Sequence, residues 1–302
     1  MNAMKKILLL SCLVSSLALH AQQDPLYSQY LTNPLIFNPA YTGLNNAFNA
    51  SFSYRNQWAG FEGAPTTLNA NAHMSIVDNK VGVGALLLQD QMGISKTTEF
   101  HAFGSYKLAL EDEMVLSFGM QFGLVGFRND YSELNVDPDP VFAQTERASK
   151  PNVGAGVILQ ANKFLVGLSV PRLLQTKVTS AGQDFQLYNQ HYYLFGSYVH
   201  YLSTRLRLKP SILFRGVKGA PISTDLNFNI NIDNKYTAGA YTRNFKAYGL
   251  LVQGWFFEKY RFGYTFEVPT NKSVGASFTS HEITIGIKTS VLNMQDRSYS
   301  EF

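Results

Sequence analysis

The residues best suited to chemistry are few and scattered. His73, His101, His191, His200 and His281 sit singly on stretches that read as strands. None has a second His at i, i+4 or a ladder of carboxylates, so no zinc site is spelled out. Asp137-Pro138-Asp139-Pro140, with Glu133 upstream, gathers carboxylates that could hold calcium through oxygen. The ordered ligand spacing of a calcium loop is missing there, and Asp-Pro steps make turns without a metal. The chain has no nucleophile elbow, phosphate loop or glycine-rich dinucleotide fingerprint. A serine meeting a histidine across neighbouring strands is the route left to hydrolase activity. Arg55 and Trp58 could pair or stack with the segment before them, though an Arg followed by a Trp at a strand end also serves as an interfacial anchor. The expectation is therefore no catalytic, cofactor-binding or metal-ligating residue, no cofactor, and no enzyme.

The elements that would position any such group come from composition and pattern. Charged residues make up 15% of the chain against about 25% in soluble domains, whereas 17 Tyr, 22 Phe and 23 Gly stand high. That balance suits strands. Residues 1–21 read as a signal peptide: Lys5 and Lys6, an apolar run from Ile7 to Leu19, and cleavage after Ala18 or Ala21. Leu10-Ser11-Cys12 also fits a lipoprotein site, but the apolar run continues past the cysteine. Cys12 is the only cysteine, so the mature chain has no thiol for a disulfide, a thiolate nucleophile or a metal. The formal charge is +4, two units of it from Lys5 and Lys6, too little to argue for nucleic acid.

After Trp58 the apolar pattern has period two almost throughout, the mark of half-buried strands. Asp225 to Asp233 alternates Leu226, Phe228, Ile230 and Ile232 with Asp and Asn only. A soluble sandwich alternates too, so this run alone leaves open which face meets lipid. Fourteen strands are expected: 47–57, 66–76, 80–89, 97–109, 114–128, 152–160, 163–170, 191–202, 205–217, 223–232, 235–243, 247–257, 260–267 and 280–291. Connections after even strands are tight and polar. Those after odd strands (58–65, 90–96, 129–151, 171–190, 218–222, 268–279) are longer, with 244–246 the exception. Short turns at one end and long loops at the other is how outer-membrane barrels are built, the long loops outside the cell. Both termini then lie in the periplasm. The fold class is all-β: a transmembrane antiparallel β-barrel of about 14 strands with an irregular N-terminal segment in or under the lumen. The division is signal peptide 1–21, plug-like segment 22–46, barrel 47–291 and periplasmic C-terminal tail 292–302.

The segment before the barrel carries the most distinctive motifs. Asp24-Pro25 with Tyr27-Ser28-Gln29-Tyr30, Asn38-Pro39-Ala40-Tyr41-Thr42-Gly43, Arg55-Asn56-Gln57-Trp58 and Gly63-Ala64-Pro65-Thr66-Thr67 follow one another. In these, and in Asp90 with Gly93 and Asp137-Pro138-Asp139-Pro140, the chain resembles the PorP/SprF family of type IX secretion and gliding proteins. The resemblance implies a barrel in the outer membrane of a Gram-negative bacterium that works with the type IX machinery. Its partners would be a secreted or cell-surface protein, other secretion components and outer-membrane lipid. The function so implied is a non-enzymatic adaptor or anchor whose outer loops, 129–151 and 171–190 above all, hold an exported protein. Asn38-Pro39-Ala40 also resembles the hatch motif of fatty-acid transporter barrels, so transport of hydrophobic compounds is the alternative. The small-residue stretch usually found around that motif is absent.

Overall fold

In a computed structural model, which describes residues 33–111, 113–131, 145–174, 176–180, 183–217, 219–270, 276–293, 295 and 302, the chain is a closed antiparallel barrel. The wall runs β1 (Phe48–Asn56), β2 (Thr66–Ile76), β3 (Val81–Met92), β4 (Ser95–Glu111), β5 (Met114–Asn129), β6 (Glu146–Ala161) and β7 (Phe164–Val170). A hairpin of β8 (Thr176–Ser180) and β9 (Gln183–Tyr188) stands apart as its own two-stranded sheet. The wall resumes with β10 (His191–Tyr198) and β11 (His200–Tyr201), one wall position interrupted at Val199. It goes on with β12 (Leu206–Val217), β13 (Ser223–Ile232), β14 (Tyr236–Arg243), β15 (Ala247–Phe256), β16 (Tyr260–Pro269) and β17 (Ser280–Thr289). Pairing of β17 with β1 closes the ring, so the fourteen wall positions leave no edge to aggregate.

The run that left its faces open resolves cleanly. On β13, Asp225, Asn227, Asn229 and Asn231 are buried, while Phe228 and Ile230 are 56% and 42% exposed. The polar face points in and the apolar face points out, the reverse of a soluble sandwich. Strands β1, β4 and β5 repeat it: Phe52, Tyr54, Phe100, Phe118, Met120 and Phe122 are exposed, and Ser53, Glu99, His101, Ser117 and Gln121 are buried. An apolar outer belt around a polar interior is what lipid outside and a filled lumen inside require. Among the described residues no helix is long and apolar enough to cross a membrane; the strands make the crossing.

Strands 66–76 and 223–232 fall where alternation puts them, and most others shift by a residue or two. Three expectations change. The connection at 90–96 is a tight turn at Gly93-Ile94, because β3 and β4 run on past the apolar belt. For the same reason β6 begins at Glu146 rather than 152. The 171–190 connection is no plain loop but carries β8 and β9. At the opposite end the turns stay short, and Gln295 folds back to donate from Nε2 to the Ser75 carbonyl at 2.7 Å.

Candidate functional site

Two Asn-Pro steps shape the segment inside the barrel. Asn33 and Asn38 each cap one 3-10 turn, Pro34–Ile36 and Pro39–Tyr41. Their side-chain oxygens accept from Leu35 N at 3.2 Å and Ala40 N at 3.0 Å. Proline at the first turn position sacrifices no needed donor. The amide nitrogens reach the wall: Asn33 Nδ2 donates to Asn71 Oδ1 at 2.9 Å. Asn38 Nδ2 donates to the carbonyls of Val157 at 3.3 Å and Leu168 at 3.2 Å.

Between these anchors the segment crosses the lumen and returns. It starts against β2 at Asn33 and reaches β10 at Phe37, which stacks on Tyr193 at 5.7 Å and leans on Phe195. It comes back past β6, β5, β4 and β3 to β2, where Gly43 N donates to His73 Nδ1 at 2.9 Å. Irregular backbone at this depth must find partners for its carbonyls. Wall side chains provide them: Ser169 donates to Phe37 O at 2.6 Å, Ser117 to Ala40 O and Ser105 to Thr42 O at 2.7 Å, and Lys107 Nζ to Gly43 O at 2.7 Å. Space is cleared by glycine. A Cβ at Gly119 would fall 2.2 Å from Ala40 N, one at Gly156 2.1 Å from Asn38 Oδ1, and one at Gly82 2.1 Å from Thr42 O. The Asn38-to-Gly43 motif is thus seated on the wall as a structural plug, and the inward glycines of β3, β5 and β6 are its track.

A cavity of about 990 Å³ remains between this plug and the opposite wall, reaching the short turns of residues 233–235 and 257–258. Asn229, Asn231, Gln253, Arg261 and Lys288 line it beside aromatic faces that include Tyr41, Trp255 and Phe256, so its wall mixes amides and cations with aromatic surface. Burial pushes the Tyr41 phenol up to about 12, against the opposing pull of Arg261.

Two ion-pair clusters occupy the other half of the lumen. Arg55 donates to Glu267 at 2.7 Å and lies 3.6 Å from Glu282. Arg243 lies 3.5 Å from Glu267 and 3.3 Å from Asp225, and Tyr241 OH donates to Glu267 at 2.9 Å. Arg55 thereby ties β1 to β16 and β17, while Trp58 meets Phe61 edge-on outside the strand. The second cluster roots the hairpin. Arg172, just beyond β7, donates to Glu99 Oε1 at 2.6 Å, and His101 Nε2 is 2.8 Å from Glu99 Oε2. Gln121 Nε2 donates to Pro171 O, Asn152 Nδ2 to Leu174 O, and Leu173 N to Val153 O, at 2.8 to 2.9 Å. Glu99 and Arg172 are 73 residues apart in the chain, and nothing in either neighbourhood marks the pairing.

The histidines fall on separate strands. His73 receives the plug, His101 pairs with Glu99, His191 Nδ1 meets Asn189 O, and His281 lies between Tyr264 and Thr279. Among the described residues no group of three His, Cys, Asp or Glu could hold a metal. Glu133, Asp137 and Asp139, read above as possible calcium ligands, lie outside the described residues.

A family model described as type IX secretion system membrane protein PorP/SprF matches residues 19–287. No curated protein matches the chain in sequence. Among solved structures, the CymD monoaromatic hydrocarbon channel aligns with a TM-score of 0.52 at 9% identity, covering 89% of this chain and 94% of that one. A Pseudomonas aeruginosa FadL homologue aligns with a TM-score of 0.52 at 10% identity, covering 90% and 96%. At such identity the likeness is one of fold.

Proposed function

The chain belongs to the PorP/SprF family of type IX secretion system membrane proteins, and from that premise we propose that it is a non-catalytic outer-membrane anchor that holds an exported protein at the end of the barrel with the long connections. One observation carries this reading. The hairpin β8–β9, which pairs with no wall strand, follows a base, residues 171–174, that is pinned into the lumen by the buried Glu99–Arg172 pair. A binding element whose base is fixed before it meets its partner forfeits less ordering entropy on binding. Strands β4, β5 and β6, of 17, 16 and 16 residues, rise beside it as a platform.

Passage of hydrophobic compounds, the alternative, draws on the shared fold and on Asn38-Pro39-Ala40. Against it stand a plug whose carbonyls accept from four wall side chains and a cavity wall that sets amides and cations among its aromatics. The test replaces residues 176–188 with a short Gly-Ser linker, keeping 171–174, and weighs by mass spectrometry what co-purifies from native outer membranes. Loss of a stoichiometric exported protein from a folded barrel is expected. Undiminished retention would overturn the hairpin as the holding element, and a lone barrel carrying a defined apolar compound would move the function to transport. For orientation, a cysteine in the hairpin should react with a membrane-impermeant label on intact cells, and one at Ser203 should not.

A further inference from the structure

Three cations stand in line across the outer face of the protruding strands. Lys96 of β4 lies directly opposite Arg128 of β5, and Arg128 directly opposite Arg147 of β6. Their parity puts them outside: odd residues 99–107 on β4 and 117–125 on β5 face the lumen and are buried, as are Asn152 and Gly154 on β6. Directly opposed residues hold their Cβ atoms about 5 Å apart, and like charges placed so repel. Among the described residues the row is met by one acid, Asp130, paired with Arg128. Glu146, beside Arg147, instead accepts from Tyr131 OH at 3.0 Å.

The same register fixes the depth of the row. Toward the short-turn end, the next row is Thr98, Gly126 and Ser149, and the one after it Phe100, Leu124 and Pro151. From there the outer surface is apolar through Phe122, Met120 and Phe118. Lys96 is four residues past Phe100, roughly 13 Å along the strand and somewhat less along the membrane normal. That is where hydrocarbon gives way to headgroups. Over Gly126, which contributes no side chain, lies a shallow groove of about 420 Å³ lined by Lys96, Thr98, Arg128, Arg147 and Ser149.

We propose that this groove binds the phosphate-bearing headgroup of a membrane lipid, with its acyl chains on Phe100 and Leu124. Guanidinium forks match phosphate oxygens, the two hydroxyls supply further donors, and a dianion turns the repulsion within the row into attraction. A free phosphate would share the charge but none of the apolar contact. The assignment rests on the outward face being the lipid face; it requires neither the hairpin's partner nor the orientation of the barrel.

The test uses the full mature barrel, delipidated in neutral detergent, with dioleoyl phosphatidic acid, dioleoylglycerol and inorganic phosphate as probes. Native mass spectrometry should show the phosphatidic acid retained and the diacylglycerol not. In Lys96→Gln/Arg147→Gln, retention should weaken at least roughly tenfold. The same variant without lipid should be as heat-stable as the parent or more so, since it relieves like-charge contact, and this separates a lost site from a misfolded barrel. Equal retention by parent and variant, or equal retention of the diacylglycerol, would overturn the proposal. So would binding of inorganic phosphate as tight as that of the lipid, which would leave an anion site only. A failed hairpin test leaves these results readable, and the converse also holds.

Discussion

Asn38 and Gly156 occupy complementary space: the amide oxygen of the first sits 2.1 Å from where a Cβ on the second would stand. Asn38 Cγ is 2.9 Å from that same point, close to the about 3 Å between Cβ and the far sulfur of a disulfide. With Cys12 the only native cysteine, Asn38→Cys/Gly156→Cys should oxidise to one bridge between lead-in and wall, detected as a linked peptide by mass spectrometry. A folded barrel whose two thiols stay free would place the lead-in elsewhere.

Glu99→Gln should loosen the hairpin without opening the barrel. It leaves the buried Arg172 charge without its carboxylate, a loss of about 3 to 5 kcal/mol for such pairs. Limited proteolysis should cut residues 176–188 faster while the wall strands stay protected. Unchanged cleavage would mean that the base is held by Gln121 and Asn152 alone.

Alkaline stability should report on the plug. Tyr41 is raised from 10.0 to about 12 by burial. Below pH 10 both folded and unfolded chains keep the proton and this contribution is intact. Between about 10 and 12 only the unfolded chain ionises, so stability falls by roughly 2 to 3 kcal/mol as pH rises. Tyr41→Phe should lack that share of the fall, measured as folded fraction by tryptophan fluorescence in detergent. Superimposable alkaline curves would take Tyr41 out of the buried site.

The two faces of the wall should answer oppositely to arginine. Met120, 70% exposed in the middle of the apolar belt, should cost about 2 to 4 kcal/mol as Met120→Arg. Thr237→Arg, into the polar cavity, should cost far less. Equilibrium unfolding in lipid vesicles compares them, and equal costs would contradict the inside-out arrangement.

The wall was legible before the structure because each strand separates oil from water, and period two records that separation residue by residue; β2 and β13 match it throughout. Features not exposed to that contrast were illegible. The hairpin β8–β9 pairs with no wall strand, and Val199 interrupts a run that still alternates. Gly82, Gly119 and Gly156 merely raised the glycine count, since only the folded barrel shows that all three face one passing backbone. The Glu99–Arg172 pair joins positions with no local signature. The extension of β4 and β5 past Phe100 and Leu124 was equally silent: Ser95 to Glu99 is polar throughout, so no alternation marks a strand there, and only the pairing out to Ser95 and Asn129 shows it.

The glycine track has a consequence for the order of events in time. Residues 33–43 precede every described strand, yet the surface they lie on is shared among β3, β4, β5, β6, β7 and β10. A seat divided among six strands cannot be complete before β10 has joined β3 to β7, so the segment ahead of the wall is fully held only by a barrel more than half assembled.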